Sequence, residues 1–237
     1  MRGTGYVAEP LESTADIPLC SGSMPDECDN RSRCGEVTDQ AWTSSCVDHA
    51  LANAIQMLLS TRWHIAPKPC ILSLYGLARV HAGKPIGEDS GTSLRCALEA
   101  VTTHGYCPDA LWPWNPEAVR QGEPWDVLQA AFDQIGLRWH VISTDRKRMI
   151  KAAVCQGLPV LVGAMVDESF DALRSLDVWP GCEGGSGHCM LIVGYDSEGV
   201  IVMNSWGITW GALGFGRIAW SYICGENTHI VAVLDEA

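Results

Sequence analysis

The chain has no run approaching the ~20 apolar residues that a helix needs to cross a bilayer. Its amino terminus, Met1-Arg2-Gly3-Thr4-Gly5-Tyr6, lacks the hydrophobic core of a signal peptide. Neither a membrane span nor a secretory leader is expected. Basic residues are scarce, with 16 Lys and Arg against 28 Asp and Glu for a formal net charge of -12. Phosphate binding needs clustered cations, and the tightest basic cluster, Arg146-Lys147-Arg148, reads as a solvated helix face. Nucleic acid is therefore excluded as a partner, and the acidity serves solubility. The 11 cysteines contain no Cys-x-x-Cys pair. Cys20, Cys28 and Cys34 cluster in a stretch rich in Pro, Gly, Ser and Asp, but without paired spacing a metal or iron–sulfur site there is the lesser reading, and no metal or cofactor is expected. The odd count and irregular spacing give no disulfide framework either, which leaves the cytoplasm of a microbe, or a virus particle assembled there, as the expected location.

With 237 residues and 47% hydrophobic content, the chain can fill a sizeable core. Its most informative residue is Cys46. Apolar residues at 47, 50, 51, 54, 55, 58 and 59 form the stripe of a helix with one buried face. Thr43, Ser44 and Ser45 are candidate N-caps, which places Cys46 in the first turn. There the free backbone N–H groups and the helix dipole favour a thiolate. A plain buried cysteine would fit helix position alone equally well. Downstream, Ser186-Gly187-His188-Cys189-Met190-Leu191-Ile192-Val193-Gly194-Tyr195-Asp196 sets a histidine at the entrance of an apolar strand. A second short strand, Val200 to Met203, leads into Asn204-Ser205-Trp206-Gly207. Two antiparallel strands there would bring His188 and Asn204 side by side, with the amide holding the imidazole in a working tautomer.

These segments together resemble the papain-like cysteine peptidases. Gln40 stands six positions before Cys46, Gly187 to Asp196 is similar to the family's Gly-His-Ala-Val-x-x-Val-Gly-Tyr, and Asn204-Ser205-Trp206-Gly207-Ile208-Thr209-Trp210-Gly211 is similar to Asn-Ser-Trp-Gly-x-x-Trp-Gly. His188 follows Cys46 by 142 residues and Asn204 by 158, near the roughly 130–150 of the family spacing. The resemblance spans about residues 36 to 236. It implies a peptidase acting on polypeptide substrates, with Cys46 as nucleophile, His188 as its acid and base, Asn204 orienting His188, Trp206 shielding that contact and Gln40 donating to the oxyanion.

Departures accompany the match. Thr43 and Val47 stand where animal and plant members carry a cysteine and a tryptophan, so one family disulfide is absent. Ser44 and Ser45 replace glycines, which leaves the loop less backbone freedom. Asp48 is expected on the polar side of the helix, and His49, beside the nucleophile in sequence, is a poor base because only residues three or four apart share a helix face. Gly181-Cys182-Glu183-Gly184-Gly185 looks like a family segment that belongs in the first half of the chain; here it reads as a loop bordering the cleft, able to gate the thiol. Cys182 and Cys189 are either linked or reduced.

The implied fold is α+β: a helical lobe packed against a twisted antiparallel sheet or barrel lobe, with the active site in the cleft between. An irregular arm packed on the surface covers 1–35 and the peptidase domain 36–237. Helices are expected near 70–82, 93–104, 125–135 and 146–156. Strands are expected near 137–143, 158–166, 188–195, 199–204, 214–220 and 229–235. Trp112, Trp114 and Trp179 either line the cleft or close a lobe interface. Only 45 residues precede Cys46 and none forms a long helical pattern, so inhibition by a cleaved pro-domain is not expected. Restraint would come from a loop, a compartment, a partner, or assembly into a larger virus or protein particle. Two other functions use the same features: a peptidoglycan-peptide hydrolase or amidase of a viral tail or particle, and a low-activity structural homologue. The intact set Gln40, Cys46, His188 and Asn204 weighs against the second.

Overall fold

The periodic segments fold as helices with caps that the sequence supplies. The computed structural model describes residues 3–9, 23–61, 64–85, 87–122, 124–131 and 136–236; Cys20 and positions 132–135 of the expected 125–135 helix lie outside them. The helices are α1 (Cys46–Leu59), α2 (Ile71–His81), α3 (Leu94–His104), α4 (Trp125–Ala131), α5 (Arg146–Cys155) and the single turns α6 (Glu168–Asp171) and α7 (Trp220–Ile223). Ser93 caps α3 by accepting from the Cys96 N–H at 3.1 Å, and Gly105 closes it with φ 81, a conformation that glycine adopts without strain.

The strands are β1 (Cys28–Asp29), β2 (Leu137–Val141), β3 (Val160–Val166), β4 (Val178–Trp179), β5 (Ser186–Tyr195), β6 (Gly199–Met203), β7 (Phe215–Ala219) and β8 (Thr228–Glu236). They form one sheet in the order β2-β8-β3-β5-β6-β7-β4, with β1 on β5. All pairings are antiparallel except β4 with β7. The path ends at β2 and β4, which do not pair, so among the described residues the sheet is open rather than a closed barrel. Cys28 and Asp29 pair with Tyr195 and Gly194, so the sheet recruits residues from the stretch read as an arm.

Helix α1 departs from the single buried face that its stripe suggests. It lies between the α2–α3 layer and β5, and every residue from Cys46 to Met57 is buried, including Asp48, His49, Asn53 and Gln56. Asp48 is therefore not on a polar face. Among the described residues neither of its oxygens finds a hydrogen-bond partner, and burial holds its carboxyl well above the usual range, against the pull of the Arg79 charge. Val47, Leu51, Ile55 and Leu191 join α1 to the sheet in one apolar cluster. Each such side chain contributes roughly 1.5–3 kcal/mol by leaving water. This rigid seam fixes the first turn of α1 against the start of β5.

Candidate active site

The loop before α1 is shaped by its own side chains. Asp39 Oδ1 accepts from the Ala41 N–H at 2.8 Å, and the strain in the turn falls on Ala41, with φ 54. Ser45 has φ -98, and Ser44 is not among the positive-φ residues. A Cβ at either position is thus accommodated, and the missing glycines cost the loop nothing. Gln40 is fully buried and held at both ends: Nε2 donates to the Thr43 carbonyl at 2.8 Å, and Oε1 accepts from Ser205 Oγ at 2.6 Å. Nε2 keeps a second hydrogen, and the Cys46 N–H, in the first turn, has no partner inside the helix.

On the other side of the groove, β5 presents His188 and the end of β6 presents Asn204. Asn204 Oδ1 accepts from His188 Nε2 at 2.7 Å and from the Ser205 N–H at 2.7 Å. Two donors on Oδ1 fix the amide, so the proton of a neutral His188 lies on Nε2 and Nδ1 is left as the basic nitrogen. The indole of Trp206 stacks on the imidazole, with centroids 4.6 Å apart and planes at 29°. Phe170 and Trp210 back that stack, so the His188–Asn204 bond is screened from water, which strengthens it. The N–H of Cys189, the neighbour of His188, lies beside the Cys46 sulfur.

A third strand of chain, which the sequence reading placed on the surface, runs through this groove. The N–H groups of Gly5 and Tyr6 both donate to the Gly187 carbonyl at 3.2 Å. The Thr92 N–H donates to Gly5 O at 3.2 Å, and the Val7 N–H to Thr92 O at 3.0 Å. Gly3 O accepts from Trp206 Nε1 at 2.9 Å, and Glu9 accepts from Ser93 Oγ at 2.8 Å. Gly5 lies so near the Ser44 carbonyl that a Cβ there would collide with it. Tyr6 is 7% exposed and belongs to the same apolar cluster as Cys46 and Cys189, and its N–H touches the Cys46 sulfur. The segment has no periodicity to betray it; its signal is the pair of glycines that allow backbone to meet backbone.

Residues 24–234 match the sequence model described as papain family cysteine protease. The chain belongs to the papain family of cysteine proteases. An uncharacterized peptidase C1-like protein of Acanthamoeba polyphaga mimivirus is 27% identical over 205 residues, covering 80% of this chain and 66% of that protein. Among solved structures, xylellain, a cysteine protease from Xylella fastidiosa, superposes with a TM-score of 0.87 at 23% identity, covering 100% of this chain and 97% of that one. A Carica candamarcensis cysteine protease in complex with E-64 gives 0.72 at 18% identity, covering 90% and 99%. At these identities the structures speak for the papain fold.

For a papain-family site, the resting charge state is inverted. Burial pushes the Cys46 thiol up to about 12, with nearby backbone N–H groups only partly opposing it. Burial also pushes His188 down to about 4, against the Asn204 bond. Both groups are fully buried, and His188 Nδ1 has no hydrogen-bond partner among the described residues. Helix position alone predicts an activated sulfur, but under the segment from Gly3 to Val7 desolvation outweighs the helix terminus, and the pair is neutral thiol and imidazole at pH 7.

A pH dependence follows. His188 has a depressed folded value against an ordinary 6.5, so between about 6.5 and 4 the unfolded chain binds a proton that the native chain refuses. Native stability is therefore present above 6.5 and lost as pH falls through that window, by on the order of 3 kcal/mol from this group. Buried His49, pushed down to about 3, adds in the same direction, whereas the raised carboxyl of Asp48 takes up its proton earlier in the native chain and opposes both. The His188 contribution is therefore read as a difference: between pH 7 and 4.5, urea titrations should show a stability change less unfavourable in His188→Gln than in the parent, and an equal change in the two would refute the assignment. The remaining candidates are structural. Cys182 and Cys189 are both free, Trp114 donates to Asp39 O at 2.9 Å, Trp112 packs with α2 and α3, and Trp179 packs on Phe170 and Tyr222.

Proposed function

We propose that the chain is a cysteine peptidase held closed by its own residues 3–7. The observation that carries the reading is the His188–Asn204 bond of 2.7 Å, buried under Trp206 and facing the first turn of α1. Once the segment leaves, water returns, the two shifted acidities relax, and a Cys46 thiolate paired with a His188 imidazolium becomes accessible. The thiolate attacks the scissile carbonyl carbon. The developing oxyanion is met by the Cys46 N–H and by the free hydrogen on Gln40 Nε2. His188 gives its proton to the leaving amine, the acyl group stays on sulfur, and His188 then takes a proton from the water that releases it.

The test uses Tyr6→Ala, in which the cleft is open, against an unbiased peptide library. Cleavage is expected, and a variant in which Cys46 is accessible to alkylation but which cuts no peptide would sink the reading. In that background Gln40→Ala is expected to lower kcat by about 10²-fold, the size of one lost oxyanion donor. An unchanged kcat would remove Gln40 from the oxyanion site.

A further inference from the structure

The loop that carries the oxyanion donors, residues 39–45, contains no cysteine, so no disulfide holds it to the rest of the helical lobe. Trp114 holds its first residue through Asp39 O, and a second side chain bonds its far end, next to the nucleophile, across a gap of 45 positions. Asp89 Oδ1 accepts from the Ser44 N–H at 2.8 Å, two residues before the nucleophile. The same oxygen accepts from Tyr75 Oη at 2.8 Å, and that hydroxyl in turn accepts from the Gly91 N–H at 3.0 Å. Tyr75 is anchored in the core of α2 and is 2% exposed, so it gives the carboxylate a fixed support. Gly91 precedes Thr92, whose N–H and carbonyl both pair with the segment in the groove.

We infer that Asp89 is a positioning residue for the peptidase reaction. It fixes the backbone at Ser44, and hence the direction of the Cys46 N–H, and through Tyr75 it ties that loop to the Gly91–Thr92 edge on which an extended backbone lies. Oxyanion stabilisation depends on donors that are in place before charge develops, since reorganising them during reaction forfeits the gain. Backbone N–H groups in a loop are as fixed as the bonds behind them, and a carboxylate acceptor forms the stronger, charge-assisted kind. Asn at position 89 can still accept from both donors, whereas Ala accepts from neither. The two arms of the network separate by the size of their effects. Losing Asp89 removes the acceptor of the Ser44 N–H and acts mainly on kcat; losing the Tyr75 hydroxyl leaves Asp89 on Ser44 with less support but frees the Gly91 edge outright, and so acts mainly on KM.

This inference rests on the peptidase reading for its kinetic half but not for its structural half. In the full chain, hydrogen exchange of the Ser44–Cys46 amides should speed up at least tenfold in Asp89→Ala and stay near the parent rate in Asp89→Asn. Parent-like protection in Asp89→Ala would overturn the clamp whether or not the chain cleaves peptides. In the Tyr6→Ala background, Asp89→Ala should lower kcat about tenfold with KM within twofold, Asp89→Asn should restore kcat to within threefold, and Tyr75→Phe should raise KM instead. A uniform loss in all three, tracking thermal stability, would make Asp89 merely structural and overturn the proposal. If the Tyr6→Ala background cleaves nothing, the peptidase reading fails, and the exchange experiment still decides the clamp.

Discussion

Cys46→Ala is expected to erase peptide hydrolysis, lowering kcat by about 10⁴-fold or more. The size follows from how such sites work as a unit: with the nucleophile gone, His188 and the oxyanion donors have no acyl-enzyme to form, and what remains is their weak help to direct attack by water. Alanine is accepted sterically at the start of α1, a helix whose neighbours Val47, Leu51 and Ile55 remain packed, so the loss should appear without a fall in Tm of more than a few degrees. His188→Ala should cost nearly as much, and the double substitution no more than either alone, because each removes the same pathway. Asn204→Ala should cost less, since Trp206 still stacks on the imidazole. The measurement is kcat on a cleaved library peptide in the Tyr6→Ala background. A Cys46→Ala protein retaining even a hundredth of the parent rate would mean that another group does the chemistry.

Tyr6→Ala itself is expected to open the groove. The phenol ring is buried against the cluster that holds Cys46 and Cys189, and truncating a buried aromatic costs about 3–5 kcal/mol. Even the lower figure shifts the closed–open balance by about 10². Covalent capture of Cys46 by a thiol-reactive epoxide, located by peptide mass because the chain has 11 cysteines, should accelerate by that factor. Tyr6→Phe is the control. The Tyr6 hydroxyl is buried with no hydrogen-bond partner among the described residues, so removing it relieves a desolvation cost and should slow capture or leave it unchanged. Equal capture rates in parent and Tyr6→Ala would show that residues 3–7 do not limit access.

The elements that carry Cys46, His188 and Asn204 are legible because each is encoded locally. The 3.6-residue stripe after Cys46, the apolar run after His188 and the glycines around Asn204 each specify their own element, and their order did the rest. The groove segment was not legible, because Gly5 and Tyr6 are placed by partners at Gly187 and Thr92, far away in sequence and without a pattern. The expected polar-side position of Asp48 fails for a related reason. Periodicity marks the more apolar face of a helix, whereas α1 is covered on all sides by elements whose arrangement a local window does not contain. Asp89 stands in the approach to α3, but nothing in the sequence gives its side chain a role: an acceptor in a turn looks solvated until Ser44 and Tyr75 are seen to converge on it. The sequence leaves sheet and barrel both open, because closure depends on whether β2 and β4 meet, a global property of twist.

The pairing of Cys28 and Asp29 with the far end of β5 turns the blocking peptide into a tethered ligand. Residues 3–7 sit at one end of that strand while the chain is fastened at the other, so they face the groove at an effective concentration of about a millimolar however dilute the protein. One cut between residues 9 and 23 would leave β1 in the sheet and release the blocker into bulk solution, where at nanomolar protein its rebinding is disfavoured about 10⁶-fold by dilution alone. Opening by thermal fluctuation is reversible; opening by a cut is a one-way commitment, made while the bond between His188 and Asn204 stays as it is.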